Sequence, residues 1–209
     1  MPRKPRVDLP DALHHVTALA SGDALLFRES ADRRRFTQQL REVSFDHQWR
    51  CSAYCLMGSH FHLIVYTVEA TLSLGMRRLL SDYAHWFNWK YDQRGHLFVG
   101  RFGSRHITQD AHLMEAHRYI ALNPLRAEHC DHPAGWRWGS YRALAGLERA
   151  PDFLDVHSVH DLFRSARAYR DFVLDSERLG SDPFRGQTPE VRAAMKLRKV
   201  AATRPTASS

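Results

Sequence analysis

Two β-like runs, residues 50–57 and 60–66, stand with only Gly58-Ser59 between them. A Gly-X link of two residues predicts a hairpin in which Gly58 takes the positive φ of a type II′ turn. The elements around this hairpin read in a definite order. Residues 13–19 read as a strand. Residues 31–47 read as a helix, with Ser30 as N-cap and Phe36, Leu40 and Val43 at helical spacing. Residues 72–91 read as a long helix whose apolar face carries Leu72, Met76, Leu79, Leu80, Tyr83, Phe87 and Tyr91. Residues 96–107 read as a strand with two glycines that permit bends or close approach. Residues 110–122 read as a helix with Asp110 as N-cap. It should end near Asn123, because Pro124 disfavours the helical conformation of the residue before it. The first six elements, β-α-β-β-α-β, match a ferredoxin-like α+β sandwich, an antiparallel sheet with helices on one face. Beyond them, Trp136-Arg137-Trp138 leads a short segment to Leu147. Residues 157–179 read as helical, residues 189–200 as a basic helix and residues 201–209 as a disordered tail.

Composition narrows the function classes. A chain of 209 residues can bury a core without covalent staples. No run approaches the ~18 uninterrupted apolar residues of a membrane span, and the basic start lacks the apolar stretch of a signal peptide. Three cysteines make no disulfide framework and point to a reducing compartment. The net charge of +7 is unevenly placed: residues 1–10 carry +2, residues 178–209 carry +5, and residues 76–106 carry +4 within a body that nets zero. Basic ends and a basic inner segment point to a polyanion, most simply nucleic acid. Arg101 and Arg105 on the glycine-broken strand, then Arg77 and Arg78 on the preceding helix, are the candidate phosphate contacts. A solvated helix face is the alternative for the latter pair.

The sharpest chemical feature is His60-Phe61-His62 on the second arm of the hairpin. Strand alternation puts both imidazoles on one face, where they can converge on one divalent ion, while Phe61, Leu63 and Val65 face the other way. Such a pair needs a third ligand, usually oxygen for Mg²⁺ or Mn²⁺. Tyr119 and Asn123, four apart, share a helix face. The Asn123 amide oxygen can complete the coordination sphere, with the Tyr119 hydroxyl one turn away. A phenol with pKa ≈ 10 is a poor nucleophile at neutral pH, but a metal-polarised phosphodiester lowers the barrier to its attack. Spacing alone favours Tyr119 as a core or surface aromatic and Asn123 as a helix C-cap.

The chain resembles the HUH single-tyrosine transposases, specifically the REP-associated tyrosine transposase branch. The resemblance rests on the segment from Tyr54 to Leu63 around Gly58-Ser59-His60-Phe61-His62, on Gly95-His96-Leu97-Phe98-Val99-Gly100-Arg101-Phe102, and on the run from Arg118 through Tyr119 and Asn123-Pro124 to Ala127. These are followed by Trp136-Arg137-Trp138-Gly139-Ser140-Tyr141. The motifs occur in family order and cover residues 5 to about 145. The resemblance implies a ferredoxin-like transposase domain over residues 1–147, with residues 148–200 as a helical basic extension and 201–209 as tail. It implies that His60, His62 and Asn123 bind the metal and that Tyr119 is the nucleophile. Tyr119 would cut single-stranded DNA through a 5′-phosphotyrosine link, on hairpins of repeated extragenic palindromes. A monomer or homodimer in a bacterial cytoplasm, acting at the nucleoid and not at a membrane, completes the expectation. The family's Pro-Asn before the histidine pair is here Gly58-Ser59, which keeps a turn and loses the Asn side chain.

Two other readings compete: a metal-dependent nuclease using water, and a catalytically retired or domesticated hairpin-binding protein. Tyr83 and Tyr91 are rival nucleophiles on an apolar stripe, where packing is the stronger reading. Trp86 and Trp89 could stack bases or pack a helix face. Cys51 and Cys55 read as small buried hydrophobes. His14 and His15 either approach the site or are solvated.

Overall fold

The computed structural model describes residues 8–175. The expected helix at 189–200, the tail and the end of the 157–179 helix lie outside the described residues. Four strands, β1 (Ala12–Leu19), β2 (Trp49–Leu56), β3 (His60–Thr67) and β4 (Gly103–Ile107), form one sheet in the order β2-β3-β1-β4. Every pairing is antiparallel. Two helices, α1 (Ser30–Asp46) and α2 (Leu72–Lys90), connect the strands in the ferredoxin-like β-α-β-β-α-β order. A third, α3 (Asp110–Arg126), follows β4. After a 3-10 turn at Pro133–Gly135 come α4 (Tyr141–Leu144), α5 (Val156–Phe163) and α6 (Ala166–Leu174).

Strand parity sorts the core into two layers. Val16, Ala18, Leu56, Phe61, Leu63 and Val65 join Phe36, Leu40, Met76, Leu79, Tyr83 and Phe87, so α1 and α2 cover one face. Ala53, Cys55, Ile64 and Ile107 face the other way and pack on Ala116 and Ile120 of α3. The two helices of the β-α-β-β-α-β unit therefore share a face as expected, and α3 closes the opposite one. Phe153, Leu154, Val159, Phe163, Tyr169 and Val173 join the larger cluster.

Asp32 ties α1 to α2. Its buried carboxylate accepts hydrogen bonds from the backbone N–H groups of Arg28 (2.7 Å) and Glu29 (2.9 Å), from Lys90 Nζ (2.6 Å) and from Tyr91 Oη (2.9 Å). Those contacts hold its carboxyl below the usual carboxylate range against the opposing effect of burial. The N-cap of α1 is Glu29 and not Ser30, because Glu29 and Asp32 form a capping box: the Glu29 side chain accepts from the Asp32 N–H and the Asp32 carboxylate from the Glu29 N–H.

The structure corrects several sequence expectations. The hairpin link is Gly58-Ser59, closed by Met57 N–H donating to the His60 carbonyl at 2.9 Å, but Gly58 is absent from the positive-φ residues. No type II′ turn is needed because the 20–27 loop holds the turn: Leu26 N–H donates to the Gly58 carbonyl and Ala20 N–H to that of Ser59, each at 2.8 Å. The strand expected over 96–107 begins only at Gly103. Gly95 and Gly100 adopt φ of +97° and +62°, turning the chain before pairing begins. Gly103 is then required by close approach, since a Cβ there would lie 2.8 Å from Thr17 Oγ1. Helix α3 starts after Gln109 and does not stop at Asn123. Pro124 sits in its last turn, where its missing N–H costs one bond, and the cap falls at Ala127, whose N–H donates to the Asn123 carbonyl at 3.1 Å. The helix expected from 157 is two helices, parted at Arg164 (φ +71°), with Ser165 Oγ accepting from Ala168 N–H to start the second.

Candidate active site

His60 opens β3 and His62 lies two residues on, both toward α3, while Phe61 between them is buried beneath α1 and α2. The Asn123 side chain, buried in the last turns of α3, lies between the two rings. His60 Nε2 is 3.3 Å from Asn123 Oδ1, and Asn123 Nδ2 is 3.3 Å from His62 Nε2. The two imidazoles meet edge to face, 5.1 Å between centroids. Tyr119, half-buried one turn before Asn123, sets its ring 5.5 Å from His62. The Arg126 guanidinium lies 5.3 Å from the centre of the Tyr119 ring. Because α3 runs through Pro124, Asn123 is an interior helical residue facing the sheet and not a C-cap. That places both Tyr119 and Asn123 against the histidine strand.

His62 is fully buried, and burial first, then His60 and His15, push its pKa well below the ordinary histidine value. His15, buried on β1, stacks on His62 at 5.2 Å, with Nε2 3.0 Å from His62 Nδ1. Burial, then His112 and Arg105, lower its pKa to about 3. The inner imidazoles are therefore neutral at pH 7, the form in which nitrogen can donate a lone pair to a cation. Two imidazole nitrogens and an amide oxygen are a donor set that suits a first-row divalent cation or Mg²⁺, and half-exposed His60 and Tyr119 leave the centre open to solvent.

The other expected residues are distributed unevenly. Arg105 is exposed on β4, in register opposite His15, and its charge reaches His15 and His112. Arg101 is exposed in the loop before β4. Arg77 and Arg78 project from α2, across the sheet from the histidines, and Arg78 pairs with Asp46 and Asp82. Tyr83 is buried among aromatic rings with its hydroxyl donating to the Leu26 carbonyl at 2.5 Å, and Tyr91 donates to Asp32; neither reaches the centre. Trp86 packs against the core, whereas Trp89 is 80% exposed. Cys51 and Cys55 are buried free thiols, and burial pushes Cys51 up to about 12. His14 and His15 are both buried, so neither is solvated, and His15 reaches the site. Arg126, His112 and the role of His15 are absent from the sequence-level assignment. Arg126 lies within the run from Arg118 to Ala127, and His15 shares strand parity with the face that α3 covers.

The fold and the site together define an α+β protein with an imidazole–amide–phenol centre between a sheet face and a helix. The chain belongs to the IS200-like transposase family: the family's model, described as "Transposase IS200 like", matches residues 12–123, more than half of it. Membership assigns it to the transposase kind of DNA-acting enzyme. Among solved structures, it is similar to the REP-associated tyrosine transposase bound to a REP hairpin, with TM-score 0.60 and 17% identity, over 74% of this chain and 94% of that one. That likeness carries the fold. A tRNA(His) guanylyltransferase from Saccharomyces cerevisiae aligns at TM-score 0.40 and 13% identity, over 84% of this chain and 81% of that one, and bears no argument. No curated protein matches the chain. Among the described residues no helix is long and apolar enough to cross a membrane.

Proposed function

We propose that the chain is a divalent-metal-dependent endonuclease and strand transferase acting on single-stranded DNA that bears palindromic hairpins. The observation that carries this reading is the meeting of His60 Nε2, His62 Nε2 and the Asn123 amide, with Tyr119 one turn away on the same helix. Family membership and the hairpin-bound solved relative support it. His60, His62 and Asn123 would hold Mg²⁺ or Mn²⁺, which supplies Lewis-acid polarisation of a phosphate oxygen. Tyr119 Oη attacks the phosphorus. A bond from Tyr119 oxygen to phosphorus forms, the bond from phosphorus to the 3′ oxygen breaks, and that oxygen leaves as a hydroxyl in exchange for the phenol proton. The 5′ end stays on the protein as phosphotyrosine, and religation by a 3′ hydroxyl reverses the step without ATP. Arg105, exposed beside the histidines, and Arg101 contact the strand's phosphates.

A 3′-end-labelled hairpin oligonucleotide incubated with Mn²⁺ and run on a denaturing protein gel tests this. Label should remain on wild-type protein and be absent from Tyr119→Phe. Cleavage with no protein-bound label would replace the tyrosine by water, and hairpin binding without metal-dependent cleavage would indicate a retired enzyme.

A further inference from the structure

We infer that His15 is a positioning residue that holds His62 in the Nδ1–H tautomer, so that His62 Nε2 keeps the lone pair with which it would face a divalent cation. This rests on the reading of His60, His62 and Asn123 as a metal site. The geometry carries it. His62 Nδ1 is 3.0 Å from His15 Nε2, and the two rings lie 9° from parallel on adjacent strands. On its other edge, His62 Nε2 faces the Asn123 Nδ2 amide, which can only donate. With Asn123 Oδ1 turned to His60 Nε2, one consistent arrangement of protons follows. His60 Nε2–H donates to Oδ1, Asn123 Nδ2–H donates to His62 Nε2, and His62 Nδ1–H donates to His15 Nε2.

A ring nitrogen is fixed as donor or acceptor by the bond its opposite nitrogen makes. Partners of this type on ligand histidines set ring orientation and basicity, and removing one typically weakens metal affinity by roughly 10- to 100-fold. Here the partner is a second imidazole, which can donate as well as accept. The reverse arrangement, with His15 Nε2–H donating to His62, would put a proton on His62 Nε2 and block it, so the direction of this one bond decides whether His62 can face a cation. His60 differs: its Nε2–H is spent on Asn123, and its Nδ1 lies 3.4 Å from Ser59 Oγ. Binding a cation requires His60 to carry its proton on Nδ1 instead, toward Ser59, while His62 is already set.

The test uses metal-free, full-length protein with ¹⁵N-labelled histidine. Two-bond ¹H–¹⁵N spectra at neutral pH should show His62 as the Nδ1–H tautomer. In His15→Phe, the Asn123 amide can turn over so that Oδ1 accepts from His62 Nε2–H; His62 should change to that tautomer, and Mn²⁺ affinity, measured by electron paramagnetic resonance of the free ion, should fall roughly 10- to 100-fold. In His15→Gln, whose terminal amide oxygen can accept where Nε2 does, the Nδ1–H tautomer and most of the affinity should return. A wild-type His62 found as Nε2–H overturns the inference, even if neither variant folds. So does a folded His15→Phe with unchanged tautomer and Mn²⁺ affinity. No DNA is present, so a wild type that binds Mn²⁺ but never cleaves a hairpin would sink the proposed function and leave this inference standing.

Discussion

His117, a buried imidazole on α3, shows how burial decides what a histidine does. His117, two residues before Tyr119, is enclosed by Phe163 and Tyr169, and burial lowers its pKa from 6.5 to about 3. Between those values the unfolded chain takes up a proton that the folded chain refuses. Stability is thus full above pH 6.5 and falls as the pH drops toward 3. Going from pH 7 to pH 4 should cost roughly 3 kcal/mol through this residue alone. Urea unfolding of wild type and His117→Leu at both pH values should show that extra loss only in the wild type. Equal losses would mean that His117 opens to water in the folded state. In the sequence, His117 is one of 14 histidines with nothing to set it apart. The pair at 60 and 62 was legible because strand alternation places it. The burial of His117 was not, because its walls come from α5 and α6, remote in the chain.

At the level of elements, local pattern located every strand and helix of the β-α-β-β-α-β unit and missed where tertiary contacts override it. Pro124 inside α3 is one such case, and the 96–102 segment, turned by Gly95 and Gly100, is another. Gly75 in α2 yields a prediction against the usual sign. An exposed helix-interior Gly→Ala normally stabilises by roughly 1 kcal/mol. Here the added Cβ would lie 2.3 Å from Cζ2 and 2.6 Å from Cη2 of Trp49. That indole is buried and anchored by Nε1 donating to Thr71 Oγ1 at 3.0 Å, so it cannot withdraw freely. Gly75→Ala should therefore destabilise the protein by about 1–3 kcal/mol, the range for overpacking. A raised urea midpoint would show that α2 can slide off the start of β2.

For the whole molecule, the question is which face meets DNA. The catalytic candidates and Arg105 lie on the α3 face of the sheet, whereas Arg77 and Arg78 lie on the opposite layer. Each phosphate contact to a single strand contributes about 0.7 to the slope of log affinity against log salt. Arg105→Ala should flatten the slope for a hairpin with single-stranded flanks by about that amount, and Arg77→Ala should leave it unchanged. A flatter slope from Arg77→Ala would place the strand over α1 and α2 and detach binding from the Tyr119 centre.

What the sequence determines by itself is whatever depends on short periods: the hairpin at Gly58-Ser59, the shared face of His60 and His62, the i, i+4 pairing of Tyr119 with Asn123, and the α+β order that implies a sheet. What only the tertiary structure decides is which remote groups meet. Helix α3 lies on the sheet face opposite α1 and α2 and so brings Asn123 between the two histidines. β1 lies beside β3, which delivers His15 to the far side of His62. Local propensity acts over a few residues and fixes which way a side chain points along its own element. Burying two faces of one sheet is a long-range requirement, and it alone chooses what that side chain points at.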